Sequence, residues 1–202
     1  MKNLKYKGVK LAGLAIACIA ISACEKTNFE NPVGETDSYS SGTADFSNFV
    51  SIGDSLTAGY ADSALYKSGQ ENSVPAILSQ QFAEVGGGTF VQPLVSDNLG
   101  GLLFGGMENP EFGNRLVLNV DPKNPPDDLD PKGPEPISGI PTTEVFGNTG
   151  GVLYNNVGVP GAKSFHFGLP GYGDSAGLLT SPATANPYFV RFASSTTTTI
   201  IT

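Results

Sequence analysis

The chain has 202 residues, 39% hydrophobic and 9% aromatic, which is enough for one domain with a real core. Its 26 glycines and 15 prolines make up about a fifth of the sequence, so loops must be extensive. The formal net charge is −8; beyond the first 24 residues seven basic residues face nineteen acidic ones, a balance of −12 with no basic stripe, which argues against a nucleic-acid partner and suits an extracytoplasmic surface.

The N-terminus reads as a targeting signal. Lys2, Lys5, Lys7 and Lys10 form a positive region, and the uncharged run from Leu11 to Ala23 is too short to span a bilayer comfortably. It ends in Ile21-Ser22-Ala23-Cys24, which resembles a bacterial lipobox. That resemblance implies removal of residues 1–23 and lipidation of Cys24, and it outweighs an ordinary signal peptide with an incidental cysteine. Cys18 fits less well, because Ala15 stands where an aliphatic residue is preferred. With Cys24 acylated, no thiol remains for a disulfide framework or a Cys-ligated zinc. Each buried methylene of an acyl chain adds about 0.8 kcal/mol, so the expected protein is anchored to a membrane without spanning it. The expected location is the bacterial cell envelope, the outer membrane in preference to the inner.

Residues 24–44 are polar and rich in Ser, Thr, Gly, Asn and Glu, a flexible tether. Phe46 to Ile52, closed by Gly53, predicts a buried strand. Ser73 then stands as an N-cap with Pro75 in the first helical turn. Val74, Ile77, Leu78, Phe82 and Val85 follow at helical spacing, and Gly86-Gly87-Gly88 stops the helix. Strand, glycine turn, loop and helix in this order predict an α/β sheet.

Regular structure is sparse from residue 86 to residue 151, a long Gly/Pro-rich insertion. Arg115 to Val120 alternates as a strand does. Asp121 to Pro136 holds six prolines and excludes a helix or a central strand. Val152 to Asn155 predicts a second short strand before the turn Gly158-Val159-Pro160-Gly161. The chain closes on a β-prone run, Ser194 to Thr202.

The chemistry centres on Ser55 in Gly53-Asp54-Ser55-Leu56. A serine hydroxyl needs positioning and a base before it attacks. A glycine turn directly after a strand exposes its oxygen at the carboxyl edge of a sheet, where ligands bind in open α/β folds. The same turn frees backbone N–H groups to face an oxyanion. The segment is not the Gly-x-Ser-x-Gly elbow of α/β-hydrolases, because Thr57 follows Leu56.

Gly53-Asp54-Ser55-Leu56 after a hydrophobic strand resembles the first block of the GDSL (SGNH) hydrolases. Asn156-Val157-Gly158-Val159-Pro160-Gly161 resembles their second block, with Gly161 at the glycine whose N–H helps to form the oxyanion hole. Two blocks in this order outweigh the plain reading of Gly-Asp-Ser-Leu as a helix-capping turn. The resemblance covers roughly residues 45–202. It implies a partial flavodoxin-like α/β/α fold and a serine acylhydrolase or lipase-like esterase, working through an acyl-enzyme at Ser55. The implied substrate is a small-molecule, lipid or glycan ester, with no cofactor or metal.

The family's Gly-x-Asn-Asp and Asp-x-x-His blocks do not occur here, so an oxyanion asparagine, the general base and its orienting acid are missing. His166 is the single histidine; Lys163 stands three residues before it and it follows Gly161 by five, so it does not match the catalytic histidine. It reads as packing in preference to a substrate contact. The chain is therefore expected to be the front part of a larger enzyme, with little activity of its own. The alternative is a non-catalytic cell-envelope lipoprotein that uses the fold as a binding or structural module.

Other signals are weaker. Asp121, Asp127, Asp128 and Asp130 lack calcium-loop spacing and read as a solvated acidic loop. Gly100 to Gly106 is not a dinucleotide fingerprint. Tyr60, Tyr66, Phe165 and Phe167 flank the two blocks as pocket or core aromatics. Asp54 reads as a turn-fixing carboxylate rather than a base.

Overall fold

A computed structural model describes residues 39–118, 133–147 and 151–201. Cys18, Cys24, the signal segment and Asp121, Asp127, Asp128 and Asp130 lie outside the described residues. In chain order the elements are β1 (Ser51–Gly53), α1 (Ser55–Ala58), α2 (Lys67–Glu71), α3 (Val74–Ala83), β2 (Leu102–Phe104), β3 (Met107–Glu108), β4 (Leu116–Leu118), β5 (Pro134–Pro136), β6 (Thr143–Glu144), β7 (Asn156–Gly158) and α4 (Pro187–Val190). Short 3-10 turns cover Pro110–Phe112, Ser164–His166 and Ser175–Leu179. Helices and small sheets mix throughout, an α/β arrangement.

The pair that frames the site is parallel. β1 and β7 match Ser51 with Asn156, Ile52 with Val157 and Gly53 with Gly158. Ser51 also donates its N–H to the Asn155 carbonyl at 2.8 Å. The second strand therefore starts one residue beyond Val152–Asn155, and the segment expected to form it lies outside it. Asparagine is depleted in strands, so pattern alone points elsewhere. Here buried side-chain bonding overrides that preference. Asn156 donates to the Thr57 carbonyl (2.9 Å) and the Gln92 Oε1 (3.0 Å), and its Oδ1 accepts from the Ser51 hydroxyl (3.2 Å) and the Gly158 N–H (3.0 Å). All four hydrogen-bonding positions of that amide are filled.

β1 is shorter than the strand expected over 46–52, and it is not buried on both faces. Val50 and Ile52 are each 50% exposed. Phe46 and Phe49 lie ahead of the strand and pack on Phe82 of α3, with ring centroids 4.3 and 5.0 Å apart. The Ser73 hydroxyl caps α3 by accepting from the Ala76 N–H at 3.4 Å, and Pro75 sits in the first turn as expected. The buried face of α3 differs from the expected one. Pro75 and Ala76 are buried, whereas Val74, Ile77 and Leu78 are exposed.

Residues 86–151 hold more regular structure than their composition suggests. β2 turns into β3 through Gly105 and Gly106, both at positive φ (63° and 80°), the conformation of a tight two-residue hairpin turn. β6 pairs in parallel on the other side of β2. The Glu144 carboxylate binds that turn by accepting from the N–H groups of Gly105 (3.1 Å) and Gly106 (2.8 Å). β4 pairs antiparallel with β5, so Pro134 and Pro136 stand in a two-stranded ribbon and not in a central strand. The closing run is not a strand. Within it, Ser195 and Thr198 bond to each other through side chains and local backbone, competing with a sheet ladder.

Two apolar clusters form the interior. One gathers Ala58, Leu65, Val95, Leu102, Val145, Ala185, Tyr188 and Val190. The other gathers Val159, Ala162, Tyr172, Phe189, Phe192, Ala193 and Ile200. α4 is buried all round because its residues enter both. Arg191 follows it, buried, and donates to the Leu94 carbonyl at 2.8 Å; burial pulls its guanidinium down to about 10. Burial pushes the neighbouring Tyr188 phenol far up. No helix among the described residues is long and apolar enough to cross a membrane.

Candidate active site

Ser55 is the first residue of α1, at the carboxyl end of β1. Asp54 is the cap, its carboxylate accepting from the Leu56 N–H at 3.2 Å. The side chain thus does for the turn what the sequence suggested. As first residue of the helix, Ser55 has an N–H without an intrahelical acceptor. α1 lies against β7 through the Asn156 bond to Thr57, so Ser55 and the second glycine block share one anchor.

Past β7 the chain turns over Val159 and Pro160 to Gly161. Gly161 has φ of 79°, a conformation open to glycine. Its N–H points at the Ser55 Oγ, 3.3 Å away, across 106 positions of sequence. Ser55 and Gly161 stand at a cavity of about 520 Å³. Tyr60, Tyr188, Phe104 and Phe112 give it an aromatic wall, and Ser63, Asn109, Glu111 and Asn186 supply polar groups. The rings form a continuous set, with Tyr60 against Tyr188 (6.2 Å), Tyr188 against Phe112 (6.0 Å) and Phe112 against Phe104 (5.8 Å).

The structure separates the flagged aromatics. Only Tyr60 lines this cavity. Tyr66 bonds Asp62 at 2.8 Å and carries the Arg115 guanidinium over its ring at 5.0 Å. Phe165 is exposed, and Phe167 packs on the second apolar cluster. His166 is not at the cavity either. Its Nδ1 accepts from the Lys163 N–H at 3.1 Å and its ring stacks on Tyr172 at 4.3 Å. Burial, and then the Lys163 ammonium, hold it below the usual imidazole range. Phe104, Asn109, Glu111 and Phe112 were not singled out by the sequence, because a hairpin in the insertion brings them to Ser55. Asn186 carried no motif either.

Comparison of the chain with protein-family models, with curated proteins and with solved structures finds no match.

Proposed function

We propose that this chain carries the nucleophile and part of the oxyanion hole of a carboxylic ester hydrolase of the GDSL (SGNH) type, in the flavodoxin-like fold of that family. It would be exported as a lipoprotein anchored through Cys24 at the cell envelope. The observation that carries the reading is the 3.3 Å approach of the Gly161 N–H to the Ser55 Oγ beside an aromatic-walled cavity.

In this reading the Ser55 Oγ attacks the ester carbonyl carbon. The carbonyl oxygen gains charge and accepts from the N–H groups of Ser55 and Gly161. The bond to the alcohol oxygen breaks, the alcohol leaves with the proton from Ser55, and the acyl group stays on the serine. Water then attacks the acyl-enzyme, releasing the acid and restoring the hydroxyl. Among the described residues no histidine lines the cavity, and the reading leaves the general base and its orienting acid unassigned. The substrate is a small-molecule, lipid or glycan ester.

The test is an alkyl fluorophosphonate applied to the protein as its gene encodes it, followed by peptide mapping. An adduct at Ser55, absent from Ser55→Ala, supports the hydrolase. A native protein that hydrolyses no p-nitrophenyl ester and takes no label supports a binding module instead. Robust turnover by residues 25–202, abolished by Ser55→Ala, would place the base within these residues.

A further inference from the structure

Asn186 sits far along the chain from both glycine blocks, in Ala185-Asn186-Pro187, yet its side chain meets the peptide that faces the nucleophile. Its Nδ2 donates to the Pro160 carbonyl at 2.8 Å. That carbonyl and the Gly161 N–H belong to one planar trans peptide and point in opposite directions. A donor that holds the carbonyl therefore aims the N–H, and the N–H is aimed at the Ser55 Oγ, 3.3 Å away.

The amide has no freedom to do otherwise. The other Nδ2 hydrogen goes to the Tyr172 hydroxyl at 3.1 Å. The Oδ1 accepts from the N–H groups of Tyr188 (2.9 Å) and Phe189 (3.3 Å), capping α4. Asn186 is only 8% exposed, so rotating or flipping the amide would leave buried donors facing donors. Tyr172, in turn, is stacked on His166.

We infer that Asn186 is a positioning residue of the Ser55 site, clamping the Pro160–Gly161 peptide so that its N–H is held at the Ser55 Oγ, within reach of the carbonyl oxygen of an ester under attack there. The inference deepens the ester-hydrolase reading and rests on it. It also gives this buried amide of the cavity a task beyond capping. The cap uses Oδ1 and the clamp uses Nδ2, so the two roles separate by substitution. Asn186→Asp keeps a cap acceptor and loses the donor to Pro160; Asn186→Ser keeps a cap acceptor, withdraws its shorter hydroxyl from Pro160 and adds no buried charge.

The experiment follows the Gly161 amide by NMR in the ¹⁵N-labelled full chain, beside ester turnover of the protein as encoded. In the wild type, Ser55→Ala shifts the Gly161 amide resonance. In the Asn186 variants that response disappears, Gly161 amide exchange speeds up about tenfold, and kcat falls about tenfold or more with KM held. Native spectra with a Gly161 amide indifferent to residue 186 would overturn the clamp. Should both variants lose the native spectrum, the ¹³C,¹⁵N-labelled wild type decides. A scalar coupling across the hydrogen bond from the Asn186 side-chain nitrogen to the Pro160 carbonyl carbon is expected, and its absence overturns the inference. The amide readout needs no turnover. Loss of the hydrolase reading, by absence of Ser55 labelling, is therefore distinguishable from loss of the clamp.

Discussion

Gly53 and Gly158 stand opposite each other in the parallel pair β1–β7, and α1 rests on both of them. A Cβ on Gly53 would overlap the Thr57 hydroxyl. A Cβ on Gly158 would lie 2.7 Å from the Thr57 carbonyl carbon and closer still to the Ala58 nitrogen. The helix that carries Ser55 is seated on a floor with no side chains. Gly158→Ala is expected to cost about 1–3 kcal/mol through overpacking and to lift α1 from the strand. Gly161→Ala is a contrasting control. Space exists there, with the nearest atom 3.8 Å away, and the cost of about 1–2 kcal/mol comes from positive φ alone. Urea unfolding gives both losses. Amide shifts within α1 should move in the first variant and stay in place in the second.

Asp54 is adjacent to Ser55, the proposed nucleophile, and its geometry is that of a cap. Asp54→Asn keeps the acceptor for the Leu56 N–H and is expected to retain stability and the rate of Ser55 phosphonylation. Asp54→Ala loses about 1 kcal/mol. Equal and near-complete loss of labelling in both variants would instead make Asp54 a base.

Two carboxylates tie the insertion together and predict an acid-sensitive stability. Burial pushes the Asp97 carboxyl up, but bonds from the Thr142 hydroxyl and N–H (2.6 Å each) and from the Leu99 and Gly100 N–H groups outweigh it, and the group lies below its ordinary value. Glu144 behaves alike: burial raises it, and backbone donors led by Phe146 and Gly106 bring it lower. A carboxyl depressed in the folded state stabilises above its unfolded value, about 4, and that contribution fades as pH falls further. The urea midpoint of the wild type should exceed that of Asp97→Asn by a constant amount above about pH 5, and the two should converge toward pH 3. A difference that widens on acidification would refute the assignment.

The part of the site legible in the sequence was local. A hydrophobic strand, a glycine turn and a capping aspartate leave their marks within a few residues, as does the Ser73–Pro75 start of α3. Gly161 was legible through a second block of the same kind. The floor on which α1 rests and the Asn156 anchor were present in that block, but nothing in the letters says that Asn156 bonds Thr57. The aromatic wall was not legible. Phe104 and Phe112 reach the cavity because Gly105–Gly106 reverses the chain and Glu144 binds the turn from 38 residues away. The apolar face of α3 was misread for a related reason: periodicity predicts a helix, and tertiary contacts choose which side is covered. Ile77 faces outward while Phe82 finds Phe46.

The distance along the chain between Ser55 and Gly161 bears on when the site comes into being. No local segment holds both groups, and closing a loop of this length carries an entropy penalty that only long-range pairing of β1 with β7 offsets. Ser55 on a nascent or stretched polypeptide is an ordinary hydroxyl among many. If Ser55 is the proposed nucleophile, its reactivity is a property of completed topology, and appearance of a phosphonylatable serine during refolding would clock the moment at which the two strands meet.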